Sequence, residues 1–137
     1  MTSADLASIY AAAFPQGRAW KTTEFDTLLE SPHCFLVTCD RGFALGRVIL
    51  DEAELVTIAT HPDAQGNGIG RQCLKMFQEE SAAQGATSAF LEVASDNLVA
   101  LHFYESEGWY KTRTRRGYYT RNDGSAADAL LMGKSLT

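Results

Sequence analysis

The chain contains no run of 18 apolar residues, and its N-terminus lacks a basic segment followed by an apolar one. The first absence argues against a helix crossing a bilayer and the second against a secretory leader, so a cytoplasmic location away from membranes is expected. Cationic residues are also in short supply, with Lys+Arg 12 against Asp+Glu 17 and a net charge of -5. That balance argues against stable nucleic-acid binding, though not against one local basic patch. Cys34, Cys39 and Cys73 are odd in number and lack C-x-x-C spacing, which favours buried free thiols. His33, His61 and His102 are scattered without metal-ligand spacing, so no metal site is expected.

What is present suits one domain over residues 1–137 with a single hydrophobic core. Hydrophobic content of 45% and charged content of 21% are ordinary for a globular chain. "SADLASIYAAAF" reads as a first helix, with Leu6, Ile9, Tyr10 and Phe14 three to four apart and Pro15 and Gly17 ending it. "TTEFDTLLES" reads as a second, capped by Thr23, with Phe25, Leu28 and Leu29 turned inward and Pro32 as its stop. "CFLVTC" and "FALGRVIL" form a hairpin across "DRG", where Gly42 relieves the turn. "AELVTIATH" is a third strand, broken before Pro62. Residues 68–84 give the clearest helical period, through Ile69, Cys73, Met76, Phe77 and Glu80, and Gly85 closes it. "TSAFLEVA" is a strand, "DNLVALHFYESEG" a helix, and "WYKTRTRR" with "DALLMGKSL" a terminal strand pair around "NDG". The order α-α-β-β-β-α-β-α-β-β is a mixed α/β pattern.

Between the third strand and the third helix stands "HPDAQGNGIG", with glycines at 66, 68 and 70. A nucleotide-binding P-loop requires Lys after its last glycine; here Arg71 and Gln72 follow Gly70. The dinucleotide fingerprint G-x-G-x-x-G fails in both registers, because Ile69 or Cys73 falls where the third glycine belongs. Two readings remain open. The glycines and the unpaired N–H groups of the helix could form a nest for a pyrophosphate, or they could simply relieve a surface turn.

Glu92 lies in "AFLEVA", sharing one strand face with Phe90 while Leu91 and Val93 share the other. A carboxylate in so apolar a strand is either the structural partner of a basic residue or a general base of raised pKa. Tyr104 shares a helical face with Leu101, either as a packed aromatic or as a proton donor at the end of a cleft, and the two roles are compatible. Lys111, Arg113, Arg115, Arg116 and Arg121 concentrate positive charge within 111–121, on a solvated strand pair or against phosphate, ribosomal RNA or an acidic target.

"HPDAQGNGIGRQCL", "FLEVASDNLVALHFYESEGW" and "RRGYYTRNDGSAADALLM" stand in an order and spacing that resemble the GCN5-related N-acetyltransferase (GNAT) superfamily. Within it the chain is similar to the RimI branch, which acetylates the N-terminal alanine of a small-subunit ribosomal protein. The resemblance covers roughly residues 5–134. It implies a single-domain GNAT fold: a central twisted mixed β-sheet, helices on both faces, and central strands 54–61 and 87–93 splayed apart. It implies that acetyl-CoA lies in that gap. Ile58, Ala59 and Thr60 would offer backbone groups to its pantetheine arm. Gln65, Gly66, Asn67, Gly68, Ile69, Gly70 and Arg71 would hold the pyrophosphate, and Asn97 the arm. Glu92 would be the general base, usually through a water, and Tyr104 the general acid. Trp20, Tyr118 and Tyr119 would border the acceptor, a ribosomal-protein N-terminus or other peptide amine.

Three departures stand out. Gly66 occupies a place where the branch commonly has arginine, "TIAT" replaces "NIAV", and "FPW" is lengthened to "FPQGRAW". The alternatives to a RimI-like activity are acetylation of a small-molecule amine or another protein N-terminus, and a non-catalytic acyl-CoA-binding module. The second would be expected to lack the carboxylate or the phenol.

Overall fold

The computed structural model describes residues 1–15, 20–120 and 123–137. Its elements are α1 (Ser3–Ala13), α2 (Thr22–Glu30), β1 (Cys34–Cys39), β2 (Gly42–Ile49), β3 (Glu52–Thr60), a 3₁₀ turn (Pro62–Ala64), α3 (Ile69–Ala83), β4 (Ser88–Ala94), α4 (Leu98–Ser106), β5 (Tyr110–Thr120) and β6 (Ala126–Ser135). This is the expected order, with the fifth strand extended well past the arginines. Gly17, Arg121 and Asn122, and with them parts of the long loop and the "NDG" turn, lie outside the described residues.

The six strands form one mixed sheet in the order β1-β2-β3-β4-β6-β5. Only β3 and β4 run parallel, and they pair only at Glu52–Ser88, Ala53–Ala89 and Glu54–Phe90. Beyond that short seam the strands part, and residues 55–60 of β3 keep an edge that no strand of the sheet covers. The splay expected of the central strands is therefore present.

Period-two alternation explains how one sheet buries two faces. In β2, Phe43 and Leu45 pack with Leu6, Ile9, Phe25 and Ala59 under α1 and α2. Ala44 and Val48 turn the other way, to Leu55, Cys73, Leu74, Phe77, Leu91, Val93, Trp109 and Met132 under α3 and α4. Burial of each large side chain stabilises the fold by about 1.5–3 kcal/mol. Phe25, Phe43 and Phe77 are fully buried. Trp109 Nε1 donates to Gln78 Oε1 at 3.2 Å, which pins the start of β5 to α3.

Several local expectations are corrected. Thr23 does not cap α2. The helix begins at Thr22, and the Lys21 N–H donates to Glu24 Oε1 at 3.3 Å. Leu29 is 36% exposed, because Phe25 alone reaches the deep core from that helix. In the β1–β2 hairpin the left-handed residue is Arg41 (φ 54), not Gly42. Glycine is needed at 42 for space instead: a Cβ there would lie 2.6 Å from Ile69 Cγ2. Of the three thiols only Cys73 is fully buried; Cys34 and Cys39 are half-buried. Among the described residues no helix is long and apolar enough to cross a membrane.

Candidate active site

The glycine stretch folds as a turn locked to its strand and opening a helix. Gln65 Nε2 donates to the Thr60 carbonyl at 3.2 Å, and Asn67 Nδ2 donates to the Ala64 carbonyl at 3.3 Å. Gly66 (φ 85) and Gly68 (φ 76) are left-handed, and a Cβ on either would meet nothing within 4 Å. Gly66 is therefore there for its backbone angle. A side chain at this φ would carry strain of roughly 1 kcal/mol while meeting no steric obstacle. Gly68 caps α3 with no side chain, so the first-turn N–H groups of Ile69, Gly70 and Arg71 precede the ladder that begins at Gln72 N–H to Gly68 carbonyl, 3.0 Å. Free N–H groups at a helix start beside two left-handed glycines have the geometry and charge to receive a phosphate. Arg71 spans from this turn to Glu107, with Nε 3.3 Å from Oε1.

Ile58 and Ile69 pack with Leu101, Phe103 and Tyr104 in the cluster on the α3 side, next to the uncovered edge of β3. Gly70 stands close by: a Cβ there would lie 3.7 Å from Phe103 Cζ and 3.8 Å from Thr60 Oγ1. Tyr104 is 8% exposed, between Phe103 and Trp109 at ring distances of 5.2 and 6.1 Å. Burial raises its phenol pKa, so the proton is held throughout the physiological range. Asn97 caps α4, its Oδ1 accepting from Ala100 N–H at 3.2 Å. Its amide N–H₂ remains available as a donor.

Glu92 corrects the burial expected from its strand. Leu91 and Val93 face the α3 core, and Glu92 faces the opposite side with Phe90, where its side chain is 31% exposed. The burial expected from "AFLEVA" is thus missing, because the apolar neighbours Leu91 and Val93 bury the other face of the strand. Arg115 Nη1 lies 3.8 Å from Glu92 Oε1. The guanidinium also stands 5.5 Å from the centre of the Tyr118 ring, and Tyr118 meets Tyr119 edge-on at 5.4 Å. Burial, then the nearby Glu92 charge, pushes the Tyr119 phenol up to about 12.

Trp20 packs against Tyr10 at 5.5 Å and Phe25 at 5.4 Å. With Thr23, Glu24, Thr27 and Leu28 it lines a groove of about 420 Å³. Of the expected acceptor residues, Tyr119 feels the charge of Glu92 and meets Tyr118, while Trp20 is joined to them through Tyr10, which also acts on Tyr119. In the sequence Tyr10 is an apolar helix position and Arg115 one of a charge cluster; the fold brings Tyr10 near Tyr119 and Arg115 to Glu92.

Glu92 and Tyr104 are not neighbours on one surface. They flank the β3–β4 gap from opposite faces of the sheet, Tyr104 clustered with Ile69 of the glycine turn and Glu92 beside Arg115 and near Tyr119. A ligand threaded through the gap would have its phosphate end on one side and an acceptor on the other. Cys73 is no candidate nucleophile, since burial and a hydrogen bond with Cys39 push its thiol pKa up. Among the described residues no three His, Cys, Asp or Glu side chains converge as a metal site.

The sequence profile of the Acetyltransferase (GNAT) family matches residues 3–109. The chain is 41% identical over 91 residues to the [ribosomal protein bS18]-alanine N-acetyltransferase of Escherichia coli K12, covering 66% of this chain. It spans 61% of the length of that relative. It is 35% identical over 135 residues to the N-alpha-acetyltransferase RimI of Mycobacterium tuberculosis, covering 92% of this chain and 82% of that protein. The crystal structure of the ribosomal-protein-S18-alanine N-acetyltransferase from Escherichia coli superposes with a TM-score of 0.87 at 30% identity. The superposition covers 98% of this chain and 88% of that one.

Proposed function

The chain belongs to the GNAT acetyltransferase family, and on that premise we propose that it moves acetyl from acetyl-CoA to a primary amine, foremost the N-terminal alanine of a ribosomal protein. The observation that carries this reading is the β3–β4 gap, where strand pairing stops at Glu54 and leaves residues 55–60 with a free backbone edge. An extended amide chain can complete such an edge by hydrogen bonding, as an added strand would. The bS18-alanine N-acetyltransferase of Escherichia coli and the tyrosines around Glu92 and Arg115 support a peptide acceptor. Action in the cytoplasm belongs to the same proposal.

In the mechanism, the N–H groups of residues 68–71 and the Arg71 side chain hold the pyrophosphate, with Gly66 giving the turn its shape. Ile58, Ala59 and Thr60 align the cofactor arm, and Asn97 donates to it from the start of α4. Bound acetyl-CoA supplies an acetyl group activated as a thioester. Backbone N–H in 58–60 stabilises negative charge developing on the acyl oxygen. Glu92 accepts the proton of the attacking amine, directly or through water, a role its exposed position permits. Tyr104 retains its proton until negative charge develops on the departing sulfur, because burial disfavours the phenolate.

The test is mass spectrometry of acetyl transfer to the purified ribosomal protein and to a panel of peptides and free amines. Transfer to the Ala-starting peptide is expected, and in Glu92→Gln kcat/KM should fall at least tenfold while acetyl-CoA affinity holds. Transfer to free amines alone would overturn the peptide assignment. Full turnover by the Glu92 variant across the pH range would remove its role as base.

A further inference from the structure

Under the acetyl-transfer reading, Glu92 must be released by Arg115 before it can serve an incoming amine. Their separation of 3.8 Å allows charge attraction but is too long for a hydrogen bond. The side chains are 43% and 31% exposed, so water competes for both and the pair separates easily. The guanidinium also has a second anchor in the face of the Tyr118 ring, 5.5 Å away. Its strand is held in place around it. Gly117 (φ 61) donates its N–H to Asp128 Oδ1 at 2.8 Å, and the Asp128 carbonyl accepts from Ser95 N–H at 2.8 Å, tying β5, β6 and the end of β4 together. The register sets Arg115 opposite Ala129 and Ala129 opposite Ala94, one pair beyond Glu92 on the same face. Arg115 thus approaches the carboxylate along the surface on which the acceptor must lie.

We propose that Arg115 determines acceptor specificity: it yields Glu92 to the amine and then donates to the carbonyl oxygen adjacent to that amine. In a peptide N-terminus the α-nitrogen and first carbonyl oxygen are held about 3 Å apart by two intervening carbons. A guanidinium already within 3.8 Å of Glu92 can therefore reach the oxygen while the carboxylate holds the nitrogen. Its planar fork of donors suits a carbonyl, and its charge strengthens the bond. A lysine ε-amine offers only methylenes at that place. Arg115 so selects peptide N-termini over amines lacking the neighbouring carbonyl, a role that rests on the acetyl-transfer reading and adds a residue to it.

The experiment compares an Ala-starting peptide with its twin carrying a thioamide at the first linkage, a weaker acceptor of nearly the same shape. Wild type should favour the normal peptide about fivefold in kcat/KM, mostly through KM. Arg115→Met should bring the ratio close to one, and Arg115→Lys should leave part of it, since an ammonium donates without the fork. A merely structural Arg115 would lower both rates together and preserve the ratio, overturning the inference. Equal wild-type rates on the two peptides would overturn it without any variant, while still supporting acetyl transfer. No transfer to either peptide would overturn the functional reading and this role with it.

Discussion

Gly42→Ala places one methyl group where the structure leaves no room for it. The added Cβ would meet Ile69 Cγ2 at 2.6 Å, Ala59 O at 3.4 Å and Cys73 Sγ at 3.5 Å. Only the first is a clash, and relieving it to an ordinary carbon contact requires a shift of about 1 Å. Ile69 is β-branched and stiff at χ1, so its side chain cannot simply rotate away. The first turn of α3 must move instead. Overpacking of this kind costs about 1–3 kcal/mol, offset by about 0.5 kcal/mol from the loss of a flexible glycine. For a chain of 137 residues that lowers Tm by roughly 2–10 °C. Because Ile69 opens the helix whose N–H groups face the glycine turn, the variant should also bind acetyl-CoA more weakly. Thermal melts and urea titrations of Gly42→Ala, Ile69→Ala and the double variant give the coupling directly. Ile69→Ala removes the offending methyl and should recover most of the Gly42→Ala loss. Ile69→Val keeps the clashing Cγ2 methyl and should recover little. Strict additivity between 42 and 69, or a Gly42→Ala protein as stable as wild type, would refute the packing argument.

Further outcomes follow from groups already described. Tyr104→Phe should retain fold and acetyl-CoA binding while kcat falls by roughly one to two orders of magnitude, measured by single turnover; full activity removes the proposed acid. Burial raises both Cys73 and Tyr104 above their ordinary values of 9.0 and 10.0. Above pH 9 the unfolded chain therefore sheds protons that the folded chain keeps, and stability falls as pH rises. The slope is at most about 1.4 kcal/mol per pH unit per group. Urea midpoints at pH 8, 10 and 11 should decline, and Tyr104→Phe should flatten the decline above pH 10. Phe77→Ala should cost about 3–5 kcal/mol by urea titration, since the ring is fully buried and stacks on Phe35 at 5.9 Å.

Much of this was legible in the sequence where the determining forces are local. The spacing of Ile69, Cys73 and Phe77 marks a helix because its period is set by the backbone, and alternation around Leu91 and Val93 marks a strand. The glycine turn was legible for the same reason, since positive φ at Gly66 and Gly68 is a property of single residues. Long-range contacts were not. Gly42 looked like a turn residue because nothing in "DRGF" reveals Ile69 lying across from it. Glu92 reads as buried because its neighbours are apolar, yet Leu91 and Val93 point to the other face and leave its own side partly open. Tyr10 and Arg115 sit far apart in the chain and come near Tyr119 and Glu92 only after α1 and β5 have docked, and no periodicity carries that information.

The short β3–β4 seam also bears on self-association. A free strand edge at the rim of a sheet can recruit another chain, and then another, because each addition presents a fresh edge. The edge along 55–60 lies inside a wedge instead, bounded on its far side by β4. A backbone that pairs along this edge sits about 4.8 Å from β3 and has β4, not solvent, beyond it. Once seated it meets a wall, so growth ends after a single addition. An arrangement that would seed fibres at the periphery is, at the centre, a receptor with a capacity of one.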